Sequence, residues 1–508
     1  MAKGKKKNPK RKATKSGKNR TPISGHKHVD GQLLPPFATA MGGKMQFSSW
    51  MNDRLPEMLW TALIIASVDR DYALWQFRRI LNFIGKHEHK DQFYDLTLTG
   101  IAKLDKALRT ELIRFMAEPP EASVALSSLR LFVSLPGKEE WHQELPTIEP
   151  DVGLLMNAVG YTLWHQTQEA TDCRWVRLMA QVISGKFHIP AETADKWFKY
   201  PNEGDQRSVR PSIRAAEIAQ NPLEPPDLTW PNAFWNEAWE NTPCIALSQR
   251  YSQPSVDKVV TRQAISELRE NLEAHWNQTH STTAIDAKHD AIFGMAFYCL
   301  RILDEMIGIG VGTSVLGRLG LRTILEVRIN LKYLLAQDKA ALWKKWREYG
   351  AGQAKLNALK FDDSIDPPKY IDVESIEQIS GEDIWEEFLT VNLASWSGLD
   401  LRKLSERSGL KDTYDKHYSW TSGYSHGMWG PIRETCYQTC GNPLHRLHRY
   451  PERRSLQDTV DDAAMLVDEI IQHVDEAYAT FERRLLSKTN TEQSAPPDSN
   501  SAALHSRR

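Results

Sequence analysis

Leu316–Leu335 read LGRLGLRTILEVRINLKYLL, and the spacing within this stretch decides the fold class. Leucine, isoleucine and valine recur at the three- and four-residue intervals of an α-helix and cover most of its circumference. Arg318, Arg322, Glu326 and Asn330 stand four residues apart, which places them in one stripe along that helix. Because an unpaired charge is costly on a buried helix, the stripe requires polar partners elsewhere in the fold.

Helical periodicity of the same kind extends over most of the chain, and it ends in a long amphipathic segment, Leu456–Leu486. We find no convincing strand alternation and no Asn-Gly or Asp-Gly hairpin between apolar runs. The sequence therefore predicts an all-α protein with two helical domains. The predicted segments are a disordered basic arm and lead (1–44), an N-terminal helical bundle (45–200), a Pro-rich linker (201–254), a C-terminal helical domain with the polar cluster (255–487) and a disordered polar tail (488–508).

The composition bounds the class of protein. Hydrophobic residues make up 41% of the 508 residues and charged residues 25%, which is typical of a folded globular chain. Five cysteines are few and odd in number, so they argue against a disulfide framework and suit a reducing compartment. The longest apolar stretch, Leu59–Val68, is about half the length that spans a bilayer. We expect a cytoplasmic protein without a membrane segment.

The first twenty residues carry ten Lys or Arg and no Asp or Glu. Such an arm can contact phosphates through counterion release without reading sequence. A solubilising or ribosome-contacting tail is the equal alternative. The residues that would contact nucleic acid are Lys5, Lys6, Lys7, Lys10, Arg11 and Lys12.

A second polar stripe lies in YDKHYSWTSGYSHGMWG, residues 414–430, where Tyr414, Tyr418, Ser422 and His426 stand four residues apart. If it faces the first stripe, a histidine that titrates near neutrality joins an arginine that can clamp an anion. These residue types suit metal-independent phosphodiester cleavage. The alternative is that the side chains satisfy one another and fix the register of the helices. The candidate catalytic residues are Arg322, Glu326, Tyr418, Ser422 and His426.

Four soft ligands follow within a short stretch: Cys436, Cys440, His445 and His448. Two thiolates and two imidazoles can bind zinc tetrahedrally. Their spacing matches no common zinc finger, however, so the sequence favours no metal and no cofactor, with zinc kept as the lesser alternative.

The two stripes resemble an uncharacterised bacterial family of unknown function, which carries Arg-x-x-x-Glu on one helix and a later Tyr/Ser-rich segment ending in Ser-His. The matching residues are Arg322 and Glu326 in LRTILE, with Tyr418, Ser422, Ser425 and His426 in YSWTSGYSHG. The resemblance covers roughly residues 259–486. It implies an all-helical bacterial domain, similar to helical abortive-infection and phage-defence modules.

Those modules include RNA-cleaving helical domains known as HEPN, which use an Arg followed by four to six residues and a His. Arg269 and His275 match that spacing, as do Arg20 and His26, but chance predicts as many pairs in this chain. No Arg stands at that distance before His426, which departs from the HEPN pattern.

Two functions of different class follow from these patterns. The first is a cytoplasmic bacterial effector in anti-phage defence that binds or cleaves RNA through the polar cluster. The second is a non-catalytic sensor or adaptor that binds a partner protein and uses the cluster structurally. A purely electrostatic nucleic-acid binder using the basic arm is a third, and homo-oligomer formation is left open.

Overall fold

The computed structural model describes residues 22–41, 48–200, 209–219, 227–247, 260–361, 367–382 and 389–486. The described residues are mostly helical, as predicted, with 68% of them in helices and 3% in strands. It divides into two compact units, Met1–Leu247 with Cys440–His448, and Ser248–Thr439 with Arg449–Arg508. The segment 440–448, which lies inside the predicted C-terminal domain, thus belongs to the first unit. Residues 1–21 of the predicted arm and lead, and the tail, lie outside the described residues, whereas residues 22–41 of the lead form a short strand hairpin and a helix instead of the disorder predicted there.

The first unit contains thirteen described helices, and all but the first contribute residues to one apolar core. Leu59–Ile65 are buried on every side, so the helix that carries them lies at the centre. Helices occupy part of the predicted linker as well, because two amphipathic stretches there bury Ile213 and Phe234. The helices are α1 (Pro36–Met41), α2 (Leu55–Glu57), α3 (Leu59–Ser67), α4 (Arg70–Lys86), α5 (Leu98–Ala102), α6 (Lys106–Ala117), α7 (Pro120–Leu126), α8 (Lys138–Glu144), α9 (Val152–Thr162), α10 (Gln168–Ile183), α11 (Ala191–Lys199), α12 (Val209–Ala219) and α13 (Thr229–Asn241).

A buried ion cluster joins three elements of the first unit. Glu217 on α12 is 1% exposed and lies 2.9 Å from Nη1 of Arg177 and 3.3 Å from Nε of Arg174. Arg54 also pairs with Glu217. The guanidinium of Arg174 stacks 3.8 Å from the centre of the Trp50 ring, and burial lowers its pKa to about 10. One carboxylate therefore compensates three buried or half-buried cations.

The second unit packs around α16. This helix, Val315–Gln337, contacts α15 (Ala287–Gly308) and the last helix, α23 (Val460–Ala477), and its buried residues include Leu321, Ile324 and Ile329. It ends where Asp338 adopts a left-handed conformation, with φ of +37°. The helices are α14 (Arg262–Thr279), α15 (Ala287–Gly308), α16 (Val315–Gln337), α17 (Ala340–Lys360), α18 (Val373–Gly381), α19 (Leu401–Arg407), α20 (Lys411–Thr413), α21 (Ser419–Ser425), α22 (Trp429–Cys436) and α23 (Val460–Ala477).

The last helix is shorter than the predicted Leu456–Leu486. It ends at Ala477, and the chain turns back at Thr480, where φ is +83°. The Asp468 carboxylate accepts hydrogen bonds from the backbone N–H groups of Leu485 and Leu486, at 2.7 and 2.8 Å. Apolar periodicity continued through this region because the returning chain also buries Phe481.

Two antiparallel strand pairs accompany the helices and were not predicted. They are β1 (Lys27–Val29) with β2 (Gln32–Leu34), and β3 (Tyr437–Thr439) with β4 (Arg449–Pro451). Asp30 and Gly31 connect β1 to β2 with φ of +47° and +77°, as in a type I′ hairpin turn. Three-residue strands leave too little alternation to detect, so the Asp-Gly pair was the available signal.

None of the helices in the described ranges combines the length and apolar character that a membrane span requires.

Replacing Glu217 with Ala should destabilise the first unit by about 3–5 kcal/mol, because buried guanidinium groups would lose their carboxylate. Urea unfolding of the full chain measures this change. Glu192→Ala is the matched control: its ion pair with Lys196 is fully exposed, so this variant should unfold at the wild-type midpoint. Equal midpoints for the two variants would contradict the buried-cluster interpretation.

Candidate functional site

The two ends of the α16 stripe have structural partners. Nη1 of Arg318 donates to the carbonyl of Gly312 at 2.9 Å. Nδ2 of Asn330 donates to the carbonyl of Glu326 at 2.9 Å, and the Asn330 side-chain oxygen accepts from the Trp396 indole at 3.0 Å. These contacts stabilise the helix and join it to its neighbours.

Arg322, in the middle of the stripe, meets the second polar segment. Its Nη2 donates to the Tyr418 hydroxyl at 3.1 Å, and its Nη1 donates to the Ser425 hydroxyl. Nε lies 2.9 Å from a carboxylate oxygen of Glu326, one turn along the same helix. The side chain of Arg322 is 20% exposed and that of Glu326 36%, so the cluster reaches the surface.

The cluster holds Arg322 in its charged form. Burial alone would lower its pKa, but the Tyr418 hydroxyl and the Glu326 carboxylate outweigh burial and raise it. The guanidinium carbon lies 5.2 Å from the centre of the Tyr418 ring, within cation–π range. Tyr418 is fixed in turn by stacking on Tyr414, with ring centres 4.6 Å apart. Arg322 is therefore a permanent cation in a rigid setting.

A π-helical turn over Tyr414–Tyr418 joins α20 to α21 and sets which side chains face Arg322. Tyr418 is the last residue of that turn, and Ser425 lies seven residues later, nearly two α-helical turns, on the same face. Both hydroxyls therefore reach one guanidinium. Inserted π turns are frequent at functional sites.

Ser422 and His426 take positions other than those expected. The carbonyl of Ser422 accepts from the Ser425 hydroxyl at 2.9 Å and from the His426 N–H at 3.3 Å, so Ser422 contributes through its backbone and Ser425 supplies the hydroxyl. His426 caps the end of α21, and its side chain is exposed. His426 follows Ser425 directly in the chain, but within the described residues the Arg322 side chain contacts Tyr418, Ser425 and Glu326 rather than this imidazole.

Two exposed tryptophans and an exposed methionine lie on α21 and at the start of α22. The side chains of Trp420, Met428 and Trp429 are 54–57% exposed. The Trp420 ring packs against the backbone at Gly430, and the guanidinium carbon of Arg449 lies 5.4 Å from the centre of the Trp429 ring. We call this surface the Trp420–Trp429 face. Sequence reasoning missed it, although both tryptophans stand inside the quoted segment 414–430.

Three of the four predicted metal ligands come together in the first unit. Cys440, His445 and His448 lie in one group, but their fourth partner is Cys244. Cys436 ends α22 in the second unit, where its sulfur lies 3.4 Å from the Thr435 hydroxyl. Local spacing could not reveal Cys244, because it is distant in the chain.

The remaining candidates do not join the cluster. Arg269 pairs with Glu273 on the surface of α14, whereas His275 is buried and its Nε2 lies 3.0 Å from the Tyr478 carbonyl, so this pair has separate structural roles. The Lys and Arg residues of the arm, and Arg20, lie outside the described residues.

Comparison with known protein families identifies the part of the chain that contains the Arg322 cluster. Residues 289–437 match the family of unknown function DUF5677. This confirms the resemblance to an uncharacterised family. No curated protein and no solved structure matches the chain. The DUF5677 region runs from α15 to β3 and contains Arg322, Glu326, Tyr418, Ser425 and His426, while the Cys244 group lies outside it.

Tyr418→Phe should lower the stability of the second unit by about 1 kcal/mol, because Arg322 would lose one hydrogen-bond acceptor while keeping the ring beneath it. Chemical denaturation of the full chain measures this loss. Tyr298→Phe, at an exposed tyrosine on α15, is the control and should change little. If both variants unfold at the wild-type midpoint, the hydrogen bond contributes nothing to folding.

Proposed function

We propose that the protein is an RNA-directed effector whose DUF5677 region binds single-stranded RNA on the Trp420–Trp429 face and cleaves it at the Arg322 cluster. The observation that carries this proposal is the pairing of Arg322 with two neutral hydroxyls at a partly exposed position. Both acceptors can be exchanged for the oxygens of an incoming phosphate.

Charge supports that exchange. Hydrogen bonds from a guanidinium to an anionic oxygen are roughly twice as strong as those between neutral groups, so a phosphate competes well with the hydroxyls of Tyr418 and Ser425. Glu326 stays beside Nε and orients the guanidinium. Arg322 then stabilises the negative charge that develops on the phosphoryl oxygens during the reaction.

The aromatic face supports an RNA ligand. Bases of a single strand stack on exposed aromatic rings whatever their identity, and neighbouring arginines contact the backbone. Trp420 and Trp429 supply the rings, and Arg449 supplies a cation beside one of them. Arg433 on α22 adds a second cation near β3, where it donates to the Thr439 hydroxyl at 3.3 Å.

The reaction that suits these groups is intramolecular transesterification. The ribose 2′-oxygen attacks the adjacent phosphorus while the bond from phosphorus to the 5′-oxygen breaks. His426 accepts the proton of the 2′-hydroxyl, and the Tyr418 hydroxyl donates a proton to the departing 5′-oxygen. The products are a 2′,3′-cyclic phosphate and a 5′-hydroxyl, and no metal takes part.

The proposed setting is the bacterial cytoplasm during defence against phage. It rests on the family resemblance and on the small number of cysteines, and the basic arm would add electrostatic attraction to RNA.

Incubation of single-stranded RNA with wild type, His426→Ala and Arg322→Met in magnesium-free buffer tests the proposal, and gel analysis measures the products. Wild type should release fragments with cyclic phosphate ends, and His426→Ala should be slower by about 10²- to 10⁴-fold. His188→Ala, at an exposed histidine of the first unit, is the control and should cleave like wild type.

RNA binding, measured separately by fluorescence anisotropy, distinguishes the outcomes. Binding without cleavage, unchanged in His426→Ala, would overturn catalysis and leave an RNA-binding module. Neither binding nor cleavage would favour the sensor or adaptor, in which the hydroxyls and Glu326 simply satisfy Arg322.

A further inference from the structure

Four soft metal ligands converge in the first unit, outside the DUF5677 region. Cys244 follows the end of α13, and Cys440, His445 and His448 come from the segment that returns to this unit. Their ligand atoms all lie within 4.8 Å of one another. Cysteine and histidine are ligands that zinc prefers, and here they come together from distant parts of the chain.

The distances fit a tetrahedral ion. Zinc bonds of about 2.3 Å to sulfur and about 2.0–2.1 Å to nitrogen place a sulfur and a nitrogen about 3.6 Å apart at a tetrahedral angle. Nδ1 of His445 lies 3.5 Å from the sulfur of Cys440 and 3.6 Å from that of Cys244. Nδ1 of His448 lies 3.8 Å from the Cys244 sulfur.

Backbone amides point at one sulfur. The N–H groups of Ile245 and Asn442 donate to the Cys440 sulfur, at 3.3 and 3.5 Å. Hydrogen bonds of this kind stabilise a ligating thiolate and help to orient it. Cys440 itself is held in place because its N–H donates to the His448 carbonyl at 2.9 Å.

The second ring nitrogen of His445, Nε2, also has a hydrogen-bond partner. Nε2 lies 3.1 Å from the carbonyl of Thr242, to which its N–H donates, so Nδ1 is left with a lone pair facing the sulfurs. Metal-bound histidines characteristically donate their second ring nitrogen in this way. The Trp239 ring covers both imidazoles, with ring centres 4.7 Å from His445 and 4.3 Å from His448.

We infer that Cys244, Cys440, His445 and His448 bind one zinc ion, and that this ion fastens residues 440–448 to the first unit. All four coordination positions are filled by protein, which is typical of a structural site. The fastened segment has little regular structure of its own beyond a short 3₁₀ turn, Pro443–His445. A bound ion therefore supplies stability that the backbone does not.

Metal analysis of purified, reduced full-length protein tests this site without RNA. We expect about one zinc per chain in wild type and near none in Cys244→Ser. Cys436→Ser is the matched control, because Cys436 is also an exposed cysteine but lies outside the group, and it should keep its zinc. Far-UV circular dichroism checks that each variant is folded.

Cobalt substitution of the wild-type protein tests the same metal site even if Cys244→Ser fails to fold. Wild type stripped of metal and reconstituted with Co²⁺ should show thiolate-to-cobalt charge transfer and the intense visible bands of a tetrahedral site. Absence of these bands, zinc retained in folded Cys244→Ser, or a Cys244–Cys440 disulfide in place of metal would each overturn it. RNA cleavage enters none of these readouts, so the zinc site and the proposed function fail independently.

Discussion

A guanidinium on an apolar helix needs acceptors, and Arg322 imposes this need on the second unit. The hydroxyls that satisfy it come from a helical segment far along the chain, so α16 and α21 must pack with one register. The π turn at Tyr414–Tyr418 adjusts that register, and the stacked tyrosines hold it. The acceptors of Arg322 include two side-chain hydroxyls, whereas Arg318 donates to the backbone carbonyl of Gly312, and this difference is the reason we propose a functional role for Arg322 alone.

In the first unit, buried charges are compensated by a carboxylate rather than by hydroxyl groups. Glu217 offsets several arginines within the core, where water cannot help. The segment 440–448 buries little apolar surface apart from Leu444. Its sulfur and nitrogen ligands lie together with that of Cys244 and attach the segment to the rest of the unit. Electrostatic pairing and proposed metal ligation thus hold parts of this unit that hydrophobic burial alone would leave weakly fixed.

Much of the second unit was predictable because the helical spacing of apolar residues in the sequence matches the residues that α16 buries. Residues spaced by four define its stripe, and a stripe of charges implies partners, which is why the pairing of Arg322 with Tyr418 could be expected. The exchange of Ser422 for Ser425 could not be expected, since it depends on how the chain enters α21 through a π turn. Cys244 was hidden for another reason: no sequence spacing reports that Cys440 folds back to it.

Photocrosslinking tests most directly whether the DUF5677 region binds RNA on the Trp420–Trp429 face. Single-stranded RNA containing 4-thiouridine would be irradiated with the full-length protein, and the adducts located by mass spectrometry. We predict adducts in peptides that contain Trp420 or Trp429, with a lower yield in Trp429→Ala and an unchanged yield in Trp75→Ala, an exposed tryptophan of the first unit. Adducts confined to other regions, or a yield insensitive to Trp429, would contradict the proposed site.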